Sequence, residues 1–171
     1  VWEGREEKWS LGPGAAARLL LAELRLLARR EPRTDVVIVG YPGHLDLTAA
    51  RLAARGAPVV FNPLVSLADT LVEDRGRFPR GSLPARMRRA VDRRALRGAD
   101  LVVADTGAHA EFLADSAGLP RDRFEVCFVG AEERVFRQGW QPENPFTALF
   151  VGKLIPLHGL ETILEAAHLT P

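Results

Sequence analysis

Short apolar, β-branched runs alternate along this chain with stretches whose apolar residues recur every three to four positions. That alternation predicts a parallel sheet with crossover helices. A first helix is expected from about Pro13 to Arg30, where Leu19, Leu20, Leu24, Leu27 and Ala28 fall at helical spacing. The run Asp35-Val-Val-Ile-Val-Gly40 is apolar without alternation, which predicts a strand buried on both faces. A helix from about Leu45 to Arg55, stopped by Gly56, and a strand Ala57–Phe61 follow. A short helix near Ser66–Glu73, a loop over Arg75–Pro84 and a long helix ending at Gly98 come next. The third strand is expected at Asp100–Ala104, then a helix over Thr106–Ala117 ended by Gly118-Leu-Pro120, and a fourth strand from Arg123 to Val129. The segment 137–145 is polar and holds two prolines, so it reads as a linker. Thr147–Gly152 is expected as a fifth strand and Gly159–Leu169 as a further helix.

Composition narrows the class. The chain has 171 residues, 47% apolar and 26% charged, with net charge +1. Those values fit a globular α/β protein and argue against disorder or a fibrous form. No apolar run reaches the roughly 20 residues that span a bilayer, and Trp2–Trp9 is too charged for a signal sequence. Cys127 is the one cysteine, which excludes an intrachain disulfide, and no spacing suggests a metal site. The default location is cytoplasmic.

Charge is unevenly placed. Arg75–Arg97 holds nine arginines and one acid, Asp92, so this segment carries +8 and the remainder −7. Leu83, Met87, Ala90 and Val91 form the apolar stripe of its helix, with Arg86, Arg88, Arg89, Arg93 and Arg94 around it. One reading is a solvated helix face; the other is a surface for anionic lipid. Without interleaved aromatics the patch does not suit nucleic acid.

Two stretches carry a family resemblance. The first is Arg97-Gly-Ala-Asp-Leu-Val-Val-Ala-Asp-Thr106, a helix, and then Arg121-Asp-Arg-Phe-Glu-Val-Cys-Phe-Val-Gly-Ala-Glu-Glu-Arg-Val-Phe136. The second is Leu149-Phe-Val-Gly-Lys-Leu-Ile-Pro-Leu-His-Gly-Leu-Glu-Thr-Ile-Leu-Glu-Ala166. Together they resemble the retaining glycosyltransferases of the GT-B fold, of the group 1 (family 4) type. The resemblance implies an N-terminal acceptor-side Rossmann-like domain over 1–136, lacking its first strand. A linker over 137–145 and the truncated start of a nucleotide-sugar domain over 146–171 complete that expectation.

The implied activity is transfer of a sugar from a nucleotide-diphosphate sugar, with retention, to a glycan or lipid-linked acceptor. No further cofactor is implied, and contact with the inner membrane face fits the resembled family. The 171 residues alone are expected to be inactive. The rival readings are a non-catalytic Rossmann-like binding module and a membrane-docking adaptor.

Candidate site residues follow. Gly152, Lys153, His158 and Gly159 combine a strand-end glycine, a full positive charge and a helix N-terminus, a set suited to a diphosphate. The resemblance implies that Lys153 neutralises the leaving group, with His158 standing where a second lysine is usual. Val129 and Glu132 depart from the usual asparagine and aspartate of the first stretch. On the acceptor side, Tyr41, His44 and Asp46 follow the first strand, and Asn62 and Asp69 follow the second. Asp46 and Thr106 equally suit helix caps, and His109 and His168 read as surface or packing residues.

Overall fold

A computed structural model of the chain describes residues 13–28, 34–136, 139, 147–152 and 158–169. The elements are α1 (Pro13–Ala28), β1 (Val37–Val39), α2 (Leu47–Ala53), β2 (Val59–Phe61), a π-helical turn (Asp69–Asp74), α3 (Leu83–Gly98), β3 (Leu101–Ala104), α4 (Gly107–Ala117), a 3-10 turn (Arg121–Arg123), β4 (Phe124–Val126) and α5 (Leu160–Leu169). The strands lie in the order β1-β2-β3-β4, each parallel to the next.

Local chemistry explains the helix ends. Ser82 accepts a hydrogen bond from the Ala85 N–H at 3.4 Å with Pro84 in the first turn, and Thr106 accepts from the His109 N–H at 3.2 Å. Gly118 ends α4 at φ 61°, a left-handed conformation that glycine adopts without side-chain strain. The predicted strands of five to seven residues are trimmed to three or four, because only residues opposite a partner keep the ladder.

Parallel neighbours taken in chain order need a crossover at every step. Right-handed crossovers then stack the helices on one face. The core is accordingly one-sided. Val39, Val59, Phe61, Val102, Ala104 and Phe124 meet Leu47 and Ala50 of α2, Ala95 and Leu96 of α3, and Leu113 and Ala114 of α4. Burying Phe61, Leu96 and Leu113 completely contributes about 1.5–3 kcal/mol for each side chain. The opposite face carries Ile38, 71% exposed, with Val60, Leu101 and Val103 half-buried and Glu125 exposed. The expectation that β1 is buried on both faces is thereby corrected: among the described residues only its helix-side face is covered.

The covered face of α3 is not its larger apolar stripe. Its buried residues are Ala85, Asp92, Ala95 and Leu96, whereas Leu83 is 68% and Met87 55% exposed, with Ala90 exposed as well. Small alanines let α3 approach its neighbours, and the lone acid is drawn inward by donors from the β2 loop. The larger apolar stripe therefore faces out.

Residues 147–152 form no strand, which corrects the expected β5. A strand exists by pairing, and Leu149 and Val151 are exposed with no strand beside them among the described residues. α5 does form, with none of its described side chains buried. The linker reading falls almost wholly outside the described residues. No described helix is long and apolar enough to cross a membrane.

Candidate functional site

The loops after β1, β2 and β3 leave the same end of the sheet, because Val39 pairs with Phe61 and Phe61 with Val102 in parallel register. In α/β sheets ligands sit outside the carboxyl ends of the strands. Strand order does not reverse among the described strands, so the loops themselves, rather than a switch of winding, define the crevice.

The first wall is Gly40–Asp46. Gly43 N–H donates to the Gly40 carbonyl at 2.8 Å, His44 N–H to Pro42 at 2.9 Å, and Asp46 N–H to Gly43 at 3.1 Å. Gly43 is required by space, since a Cβ there would sit 2.6 Å from the Gly40 oxygen and against Val39. Tyr41 is exposed on this wall. His44 is behind it: the residue is 5% exposed, its ring meets Phe61 edge-on at 5.2 Å, and Nε2 lies 3.6 Å from Asp92 Oδ1. Burial pushes the His44 pKa below the usual imidazole value, outweighing the pull of the Asp92 carboxylate. The candidate His44 is therefore sealed behind the wall, against Phe61 and Asp92, and does not open onto the strand ends.

Asp46 makes no side-chain cap on α2. Its carboxylate instead shares a hydrogen bond with Glu23 of α1, whose pKa is pushed up to about 7, first by burial and then by that bond. Asp46 also lines a cavity of about 450 Å³ running along the outer edge of β1, with Val36, Ile38, Gly40 and Arg55.

The second wall is the β2 loop. Asn62 Oδ1 accepts from the Leu64 N–H at 3.2 Å, an Asx turn that lets Leu64 hold φ 60°. Buried Asp92 of α3 accepts from Ser66 Oγ at 2.7 Å, Leu67 N–H at 2.9 Å and Ala68 N–H at 2.8 Å. Ser66 Oγ in turn accepts from the Asp69 N–H at 3.0 Å. Asp69 stays exposed. Partial burial, then Glu73 and Asp74, push its carboxyl pKa up, and His109 opposes them.

The third wall is the start of α4, where Asp105 Oδ1 pairs with His109 Nδ1 at 2.7 Å. That hydrogen bond is the main reason Asp105 titrates below the ordinary carboxylate range. The structure thus draws Asn62, Asp69 and Tyr41 to one end of the sheet. It adds Ser66, Asp92 and Asp105, which were not among the candidates, and His109, which the sequence reads as a surface or packing residue. The i, i+4 spacing of Asp105 and His109 at a helix start was the available signal, as was a single acid among nine arginines for Asp92.

Beyond the crevice, a Cβ on Gly152 would lie 2.8 Å from both His158 Nδ1 and Phe150 Cζ, and Gly159 holds φ 58°. Lys153 lies outside the described residues. Of the expected anion-binding arginines, Arg88 stacks 3.9 Å over the Phe78 ring and donates to the Pro84 carbonyl. Arg89 ties Glu73 and the Arg80 carbonyl, and Arg94 reaches Thr48 at 3.4 Å. The side chains of Arg86 and Arg93 are exposed and make no hydrogen bond or ion pair among the described residues. The basic surface is therefore narrower than the charge count.

A four-stranded, all-parallel sheet with loops converging at its carboxyl end defines a Rossmann-like α/β domain. Residues 1–130 match the model of the glycosyl transferase 4-like domain, and the chain belongs to that family. The match takes in residues 1–34, ahead of the stretches that carried the resemblance, and ends before Thr147–Gly152. No curated protein matches the chain. Membership makes this a transferase domain that serves a sugar donor and an acceptor.

Proposed function

We propose that the chain is the acceptor-side domain of a retaining GT-B glycosyltransferase, with residues 146–171 opening its donor domain. The donor is a nucleotide-diphosphate sugar, and the acceptor a glycan carried on lipid or at the cell envelope. The observation that carries this reading is the family match over residues 1–130, joined to a parallel sheet whose β1, β2 and β3 loops leave the same end.

The chemistry assigns the roles. As the glycosidic bond breaks, negative charge collects on the leaving diphosphate, and stabilisation there counts most in the transition state. Gly152, Lys153, His158 and Gly159 serve that charge, while Tyr41, Asn62 and Asp69 face the acceptor. Peripheral membrane contact is supported by α3, whose exposed Leu83, Met87 and Ala90 are bordered by Arg86 and Arg93. An apolar stripe beside cations is the pattern of a helix lying in a lipid interface.

The test is to express the complete gene product and incubate it with UDP-, GDP- and ADP-sugars and a lipid extract. Donor-dependent release of nucleoside diphosphate with a product of retained anomeric configuration is expected. Lys153→Ala is expected to lower kcat by about 10²-fold. No turnover with any donor would overturn the reading.

A further inference from the structure

The geometry points to a carbohydrate-contact site formed by Asp105, His109 and Phe112 on the α4 wall, which takes a neutral sugar of the acceptor. This deepens the glycosyltransferase reading and rests on it. Asp105 follows Ala104, the last residue of β3, and Thr106 caps α4, so the helix register is pinned at the mouth of the crevice. One turn on, His109 Nδ1 meets Asp105 Oδ1 at 2.7 Å. An ionised carboxylate only accepts, so the proton of this bond belongs to Nδ1. A neutral imidazole in that tautomer presents a lone pair at Nε2. Nε2 has no hydrogen-bond partner among the described residues, and the side chain is 20% exposed, so it is open to a hydroxyl.

Phe112, three residues further along the same flank, stacks beside the imidazole with ring centroids 6.4 Å apart and planes at 29°, and is 46% exposed. The core flank of α4 is filled separately by Ala110, Leu113, Ala114 and Ala117, and Phe112 lies outside it. An open aromatic face beside an oriented hydrogen-bond acceptor matches a pyranose. The polarised C–H groups of the sugar rest on the negative ring face while a rim hydroxyl donates to Nε2. Asp105 and nearby Asp69 disfavour an anion, which selects a neutral sugar over a phosphate. His109 is the contacting residue, and Asp105 positions it through the tautomer.

Nuclear magnetic resonance on the ¹⁵N-labelled chain tests this directly. Long-range ¹H–¹⁵N correlation is expected to show His109 protonated at Nδ1, and Asp105→Asn to lose that preference while the fold is kept. Titration with methyl α-D-glucopyranoside, methyl α-D-mannopyranoside and methyl N-acetyl-β-D-glucosaminide is expected to shift the His109 and Phe112 rings together for at least one sugar. His109→Ala or Phe112→Ala should weaken that sugar by about tenfold. An Nε2–H tautomer in the free chain overturns the site. So do sugar-induced shifts at Tyr41 and Asn62 that leave both rings still, an outcome that spares the glycosyltransferase reading. If no sugar moves either ring the site falls too, while donor turnover by the complete gene product judges the reading beneath it.

Discussion

The Ser66 hydroxyl donates to the Asp92 carboxylate at 2.7 Å across 26 positions of sequence, joining the β2 loop to the middle of α3. The same carboxylate receives the Leu67 and Ala68 N–H groups, so one buried anion closes the start of the following helical turn. Asp92→Ala leaves three buried donors without their acceptor and is expected to cost about 3–5 kcal/mol. Ser66→Ala, which removes one donor, should cost less, about 1.5–3 kcal/mol. Urea denaturation of the two variants checks the ranking, and equal costs would refute it.

His44 makes stability depend on pH. Its folded pKa is depressed by burial, so on acidification the unfolded chain takes up the proton first. The associated stability is present above about pH 6.5, the unfolded value, and is lost as pH falls below it. His44→Gln should flatten the slope of unfolding free energy below pH 6.5. An unchanged slope would show that another group sets the acid limb.

Glu23 acts in the opposite sense. Its folded pKa of about 7 exceeds the ordinary 4.5. The unfolded chain therefore loses its proton first, and stability falls as pH rises from 4.5 through 7. Exchange of α1 amides with deuterium should quicken over that range beyond the intrinsic pH effect. Glu23→Gln should remove the excess.

The Gly40–Asp46 turn depends on the absence of a side chain at Gly43. Gly43→Ala should cost about 1–3 kcal/mol, because the added carbon meets backbone as well as Val39. Gly118→Ala should cost about 1 kcal/mol through its positive φ. A thermal melt that places Gly118→Ala as the more damaging variant would contradict this account of the turn.

The outward stripe of α3 separates membrane contact from folding. Leu83→Asn with Met87→Asn should leave the melting temperature nearly unchanged while reducing sedimentation with anionic phosphatidylserine vesicles. Arg86→Glu and Arg93→Glu should each weaken that binding by at least about 1 kcal/mol, and the loss should shrink as salt rises. Arg89→Glu also breaks the ties to Glu73 and the Arg80 carbonyl and should reduce stability. Vesicle binding that survives all the surface changes would remove the membrane proposal.

Element types and order follow from neighbouring residues. Apolar period, the cap at Thr106 and the stop at Gly118 act within a few positions, so sequence alone sets α1, β1–β4, α2, α3 and α4 in order, to within a few residues. The residue types at the strand ends likewise mark Tyr41, Asn62 and Asp69 as crevice candidates. Which face of an element is covered is a different kind of fact. An apolar run such as Val36–Val39 fits one covered face or two, and strand order with crossover handedness leaves Ile38 open. In α3 the larger apolar stripe lost the inward position to Ala85, Ala95 and Asp92, because the β2 loop supplied donors and small side chains allowed close approach. The sealing of His44 against Asp92 arises in the same way, from segments distant in sequence. Short-range chemistry decides what an element is, and long-range packing decides which of its side chains a ligand can meet.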